Sequence, residues 1–271
     1  MPGLKGVIVA AAACLLTLAG DAALAGQCGN NAGGFSRWLD QFKREAAAAG
    51  VSQKVVASAL NGVTYDTRVI KLDRGQKSFN YSFEKFYALR ARGLDSLGRS
   101  RMKSNAALLN KIEARYGVQP EVLVAIWGLE TGFGADSGKM QAFRSLATLS
   151  YDCRRSSFFT TELMAALSIV QRGDMSPSQM IGAWAGELGQ TQFLATSYIK
   201  FAVDFDGDGR RDLIRSKADA LASTANYLRA YGWKKGQPYQ PGSANYAVLA
   251  QWNKAKVYQQ TIAVLAGKIR G

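Results

Sequence analysis

Glu130 closes an apolar run and precedes a glycine-rich exit: Pro120-Glu121-Val122-Leu123-Val124-Ala125-Ile126-Trp127-Gly128-Leu129-Glu130-Thr131-Gly132-Phe133-Gly134. Val122, Ala125, Ile126 and Leu129 recur at helical spacing and predict one buried stripe. At about 100° per residue, Glu130 falls on the edge of that stripe. Pro120 suits a helix start, and Gly132 and Gly134 suit a stop. A carboxylate so placed is partly desolvated and lies at the negative end of the helix dipole, and both effects favour its protonated form. An acid that keeps its proton near neutral pH can serve as a general acid. A solvated glutamate at a helix end is the competing account of the same spacing.

The other residues able to do chemistry fall in two segments. Gly182-Ala183-Trp184-Ala185-Gly186-Glu187-Leu188-Gly189-Gln190-Thr191-Gln192-Phe193 mixes small residues with aromatics and amides. Trp184 and Phe193 could stack on or lie beneath a sugar, and Gln190 and Gln192 can donate and accept hydrogen bonds. A helix–helix contact followed by a polar turn would use the same residues. Asp204-Phe205-Asp206-Gly207-Asp208-Gly209-Arg210-Arg211-Asp212 matches the start of a calcium loop. Its alternating carboxylates Asp204, Asp206 and Asp208 converge on one ion, Gly209 makes the turn, Arg210 offers its backbone carbonyl and Asp212 takes the ninth position. Arg215 stands at the twelfth, where a bidentate Glu belongs, and could instead pair with one of the carboxylates. A structural calcium or sodium ion is expected there, with a self-satisfied Asp-rich turn as the alternative. Asp136, Asp152, Glu162 and Glu187 are further acids near these segments, each by default a surface charge.

Composition narrows the chemistry. The chain has no histidine, which excludes Ser-His-Asp and Cys-His nucleophiles and His-ligated metals. Carboxylates point most naturally to sugar chemistry, with no cofactor required for catalysis. The net charge of +14 favours anionic polymers. An acidic cell wall or anionic lipid suits it, and the absence of a nucleic-acid-binding motif argues against nucleic acid.

Residues 1–25 read as an export signal: Lys5, an apolar core from Val7 to Leu18, then Ala23-Leu24-Ala25 as a cleavage pattern. Leu24-Ala25-Gly26-Gln27-Cys28 approaches a lipoprotein box, but Gln27 intervenes; a soluble product is expected, with a lipid anchor as the alternative. Cys28 and Cys153 would then remain, either as one disulfide in an oxidising compartment or as two separate thiols.

The elements that must position these groups are mainly helical. Helices are expected over Phe35–Ala49, Ser52–Leu60, Ser82–Arg92, Arg99–Tyr116, Phe158–Gln171, Pro177–Leu188, Phe193–Phe201 and Ala218–Tyr231, with a short element at Ser145–Ser150 between the loop after Glu130 and the Phe158 helix. Two more are expected around Tyr246–Gln251 and Ala255–Ile269. Tyr65–Phe79, broken by charges and Gly75, reads as a loop crossing. One domain over residues 26–271, with two lobes at most, is the simplest organisation.

In order along the chain, Glu113-Ala114-Arg115-Tyr116-Gly117-Val118, Trp127-Gly128-Leu129-Glu130-Thr131 with Gly134, and Leu146-Ala147-Thr148-Leu149-Ser150-Tyr151 resemble the catalytic segment of the B-type lytic murein transglycosylases of bacteria. Ala185-Gly186, Gly189, Gln192-Phe193 and Ser197-Tyr198 are similar to that family's second motif, which runs into the acidic loop. Ala225-Asn226-Tyr227-Leu228, Gly232-Trp233, Trp252-Asn253 and Tyr258 match further blocks.

The resemblance implies a lysozyme-like, mainly helical fold (α+β) with a long substrate cleft, acting as a monomer on peptidoglycan glycan strands in the periplasm. It implies that Glu130 is the sole catalytic acid and base, cleaving between N-acetylmuramic acid and N-acetylglucosamine and closing a 1,6-anhydro ring. It also implies that Gln192, Tyr227, Trp252, Asn253 and Tyr258 line the cleft. Two positions depart from the pattern: Ala183 replaces a serine that contacts the acid, and Glu187 replaces a small residue. Glu187 keeps a hydrolytic muramidase open as an alternative, and the basic charge keeps open a non-catalytic wall-binding protein, located peripherally on wall or membrane.

Overall fold

A computed structural model describes residues 27–75 and 81–271. The export signal expected over residues 1–25 lies outside the described residues. Within them are thirteen helices: α1 (Phe35–Ala48), α2 (Gln53–Leu60), α3 (Thr67–Arg74), α4 (Phe83–Arg90), α5 (Leu94–Ser104), α6 (Ala106–Tyr116), α7 (Pro120–Thr131), α8 (Ala142–Tyr151), α9 (Ser156–Gln171), α10 (Ala195–Phe201), α11 (Lys217–Ala230), α12 (Ala244–Trp252) and α13 (Lys256–Arg270). Strands β1 (Met140–Gln141) and β2 (Ile181–Gly182) pair antiparallel, Met140 opposite Gly182. No helix among the described residues is long and apolar enough to cross a membrane.

Helix α7 is the axis of the fold. Pro120 starts it, and Gly132 (φ 59°) ends it in the left-handed conformation that glycine adopts without strain. Every residue from Glu121 to Leu129 is buried, so the single expected stripe is too narrow. A helix apolar on all sides belongs inside a core, and α5, α6, α11 and α13 pack around this one. The approach is close: a Cβ on Gly98 of α5 would lie 2.6 Å from Ile269 and 3.5 Å from Val124. Burying side chains such as Leu123, Ile126 and Leu129 contributes about 1.5–3 kcal/mol each. That burial holds the C-terminal turn of α7, and Glu130 with it, in one place.

A second layer flanks the site. Helix α1 buries Phe35, Trp38, Leu39 and Phe42 as its periodicity predicts, and Trp38 stacks on Phe42 at 5.5 Å. The segment before it runs beside the end of α8, where Gly29 N donates to Tyr151 O at 2.9 Å. Cys28 and Cys153 form a disulfide with Cα atoms 5.0 Å apart across 125 positions of sequence.

Four expectations for local structure need correction. Residues 67–74 form helix α3, not a loop. Asp66 caps it by accepting from Arg68 N at 2.9 Å, and buried Asp73 takes the place of an apolar residue on its inner face, which hid the helical period. The helix expected over Arg99–Tyr116 is two helices, because Asn105 Nδ2 donates to Arg101 O at 2.8 Å and caps the first of them. Residues 145–150 belong to the longer α8, capped by Gln141. The helix expected over Pro177–Leu188 is absent: a single 3-10 turn (Pro177–Gln179) leads into β2 and a tight loop. Gly186 (φ 84°) and Gly189 (φ 81°) require that loop, and a Cβ on Gly182 would sit 1.9 Å from Glu187 O.

Candidate active site

Glu130 sits half-buried at the last turn of α7, on the floor of a cleft of about 730 Å³. Its Oε1 accepts two hydrogen bonds, from Tyr258 Oη at 2.6 Å and from Trp252 Nε1 at 3.0 Å. Both donors come from the C-terminal helices, Trp252 at the end of α12 and Tyr258 in the first turn of α13. Burial pushes the Glu130 carboxyl up from 4.5 to about 7. The Tyr258 and Trp252 hydrogen bonds oppose that rise, the Glu187 charge adds to it, and Arg90 on α4 opposes it. The same contact, together with burial, raises the Tyr258 hydroxyl well above its ordinary value, so it remains a donor.

The loop after β2 forms one wall, and buried Gln190 fastens it to α7. Trp127 Nε1 donates to Gln190 Oε1 at 3.1 Å, Thr131 Oγ1 to Gln190 O at 2.6 Å, and Gln190 Nε2 to Ile214 O at 3.1 Å. Gln190 thus spends its hydrogen bonds as a tie between elements and is not among the residues lining the cavity. Gln192 adopts φ 53°, a left-handed backbone uncommon for a side chain of its size. Its amide donates to Gly189 O at 2.8 Å and to Ser137 O at 3.2 Å. Phe193 is buried beneath the cleft, 5.5 Å from Trp252 and 6.1 Å from Tyr227 between ring centres, while Trp184 stays half-buried on the wall. Tyr227 Oη donates to Gln251 O at 2.5 Å, its ring edge-on to Trp252 at 5.1 Å. Asn253 Oδ1 accepts from Ala255 N at 2.9 Å, at the entry to α13. Gln192, Tyr227, Trp252, Asn253 and Tyr258 therefore line one cavity with Glu130. Ala183 lines it too and offers no hydroxyl.

Another part of the lining went unnoticed in the sequence. Arg154 and Arg155, next to the disulfide, both bond to buried Asp73 on α3, Arg154 Nε at 2.8 Å and Arg155 Nη2 at 2.5 Å. Arg155 also lies over the Phe159 ring at 4.7 Å. These residues and Arg90 line the cavity and bring three arginines and one aspartate to it. The only signal available was the Arg-Arg pair directly after Cys153.

The acidic loop gathers a different set of carboxylates from the one expected. Asp204, Asp206 and Asp219 offer oxygens within 4.8 Å of one another. Asp208 and Asp212 do not join them. Asp208 is exposed and caps Arg210 N at 2.9 Å. The Asp212 carboxylate is spent on Ile214 N, Arg215 N and the Arg215 guanidinium, so the residue at the twelfth position does pair with an acid. Asp219, in the first turn of α11, joins the cluster while its oxygens also accept from Phe205 N at 2.7 Å and Asp212 N at 2.8 Å. Three converging carboxylates suit a hard cation such as calcium.

A family model described as the transglycosylase SLT domain matches residues 34–243, and the chain belongs to that family. It is 42% identical over 129 residues, 47% of its own length, to membrane-bound lytic murein transglycosylase B of Escherichia coli (strain K12), and it spans only 36% of that protein. Among solved structures it resembles SltB3 from Pseudomonas aeruginosa in complex with NAG-anhNAM-pentapeptide, with a TM-score of 0.82 and 33% identity over 88% of this chain and 80% of that one. The Escherichia coli lytic transglycosylase SLT35 in complex with calcium shares the fold, with a TM-score of 0.74 and 23% identity over 92% of this chain and 97% of that one. The mainly helical lysozyme-like architecture expected from the sequence is the one observed.

Proposed function

We propose that this chain is a peptidoglycan lytic transglycosylase, cleaving the β-1,4 bond between N-acetylmuramic acid and N-acetylglucosamine and leaving a 1,6-anhydromuramoyl end. The observation that carries the proposal is the state of Glu130. It faces a long cleft, titrates at about 7 and is oriented by Tyr258 and Trp252. Such an acid can give a proton to the bridging oxygen and then accept one from the muramoyl 6-hydroxyl, the two transfers the reaction needs. The substrate's acetamido group stabilises the cation between them, so one protein acid suffices. SltB3, solved with a NAG-anhNAM-pentapeptide, supports the substrate class.

Gln192, Tyr227, Trp252 and Asn253 would bind and orient the glycan, and Tyr258 would hold the acid. The Cys28–Cys153 disulfide supports an oxidising compartment, in keeping with export to the periplasm. The Asp204, Asp206 and Asp219 carboxylates would hold a calcium or sodium ion in a structural role; SLT35, solved with calcium, supports this choice. Mass analysis of sacculus digests tests the central claim. Anhydro-ended muropeptides from the wild type and none from Glu130→Gln are expected. Cleavage by Glu130→Gln at the wild-type rate would overturn it. A purely wall-binding protein would show no turnover in either form, and it would have no use for a carboxyl held near neutrality.

A further inference from the structure

Glu187 is a cleft carboxylate whose only hydrogen bonds among the described residues come from the backbone of its own loop. It is half-buried and lines the same cavity as Glu130. One of its oxygens, Oε2, accepts from Ala185 N at 3.1 Å, a contact an uncharged amide oxygen would make equally well. The charged groups at the start of and within α9 that act on it, Arg155 and Glu162, are committed elsewhere. Arg155 is ion-paired with Asp73 at 2.5 Å, and Glu162 accepts from Thr196 N at 2.9 Å and Thr196 Oγ1 at 2.7 Å. Removing a charge from water without a counter-ion raises the energy of the folded state, and groups kept in that condition gather where chemistry is done.

We infer that Glu187 is a second catalytic carboxylate, a general base that directs water onto the muramoyl C1, so that this chain hydrolyses part of the substrate it otherwise closes into an anhydro ring. The inference rests on the transglycosylase function proposed above. After Glu130 protonates the leaving oxygen and the C1–O4 bond breaks, the cation is held as the oxazolinium of the acetamido group. If O6 attacks, a C1–O6 bond forms, the C1–O(acetamido) bond opens and Glu130 takes the O6 proton. If water attacks, a C1–O(water) bond forms, the same acetamido bond opens and Glu187 takes the water proton. That proton then passes through solvent to Glu130, and both acids are reset. The second product carries a free reducing end and one more water than the first.

Glu187 can act as a base only when ionised. Burial raises its pKa; hydrogen bonds from its own segment and the Arg155 charge pull it back, and Glu162 adds to the rise. With Glu130 on α7, Arg155 just before α9, Glu162 on α9, and Asp73, Arg90 and Arg154 also lining the cavity, the reducing-end share should therefore grow as pH rises. The test is digestion of a defined muropeptide glycan in oxygen-18 water at about pH 5 and about pH 8, on either side of neutrality, with products resolved by mass. Wild type should give labelled reducing ends beside anhydro ends, in a proportion that increases with pH. Glu187→Gln should lower the labelled-to-anhydro ratio by on the order of 10²-fold. Anhydro ends alone from the wild type, or an unchanged ratio in the variant, would overturn the inference while leaving the transglycosylase function standing. No anhydro product from the wild type would defeat that function instead. If Glu187→Gln does not fold, the wild-type products decide by themselves: anhydro ends without labelled reducing ends at either pH would overturn the inference.

Discussion

Removing the Tyr258 hydroxyl should move the alkaline edge of activity to higher pH. In the structure this hydroxyl donates to Glu130 Oε1 at 2.6 Å, a contact that favours the ionised carboxylate. A hydrogen bond to a charged group contributes about 1.5–3 kcal/mol, and about 1.4 kcal/mol corresponds to one pH unit. Tyr258→Phe should therefore lift the Glu130 titration above its present value of about 7 by about one to two pH units. The retained Trp252 bond at 3.0 Å favours the lower end of that interval. Cleavage begins with protonated Glu130, so activity falls as pH rises through its pKa, and a higher pKa carries the fall upward. The assay is the pH profile of kcat/KM on a soluble glycan, which reports the free enzyme. An edge that stays in place or moves to lower pH would refute the idea that this hydrogen bond holds down the acid's pKa.

Other perturbations follow from the same geometry. Glu130 binds its proton more tightly when folded than when unfolded, so the folded state loses stability as pH rises from about 4.5 to about 7. Glu130→Gln cannot ionise and should be more stable than wild type at pH 8, by up to about 3 kcal/mol, with little difference at pH 4; urea melts at the two pH values check this. Cys28→Ser should cost about 4–5 kcal/mol, read as a lower urea midpoint than wild type, and the reduced wild type should match it. Asp219→Asn should abolish a calcium-dependent rise in Tm, whereas Asp208→Asn should leave most of it, the reverse of what the loop spacing alone implies.

The sequence made α7 and its acid legible because a long apolar run, a proline start and a glycine stop all agreed there. It was misleading where two patterns coincide. Residues 177–188 carry apolar residues at helical intervals, yet Gly182, Gly186 and Gly189 are required for close backbone approach and left-handed turns. Residues 67–74 appear too polar for a core helix because Asp73 is buried as the partner of two arginines contributed from 81 and 82 positions away. Long-range polar pairing of this kind leaves no local period. Asp219 escaped for a related reason: it completes the carboxylate cluster from a neighbouring helix, beyond the end of the loop motif. The cleft residues carried over by family resemblance do meet around Glu130, but Arg90, Arg154 and Arg155 belong to segments where nothing but isolated charge marked them.

The bond between Cys28 and Cys153 adjoins two arginines that line the same groove as the acid. Thiol reductants should therefore act on this protein before they unfold it. With the staple open, the segment at Arg154 and Arg155 would be tied to the N-terminal segment by backbone pairing at Gly29 alone, while α7 and its helical partners keep their packing.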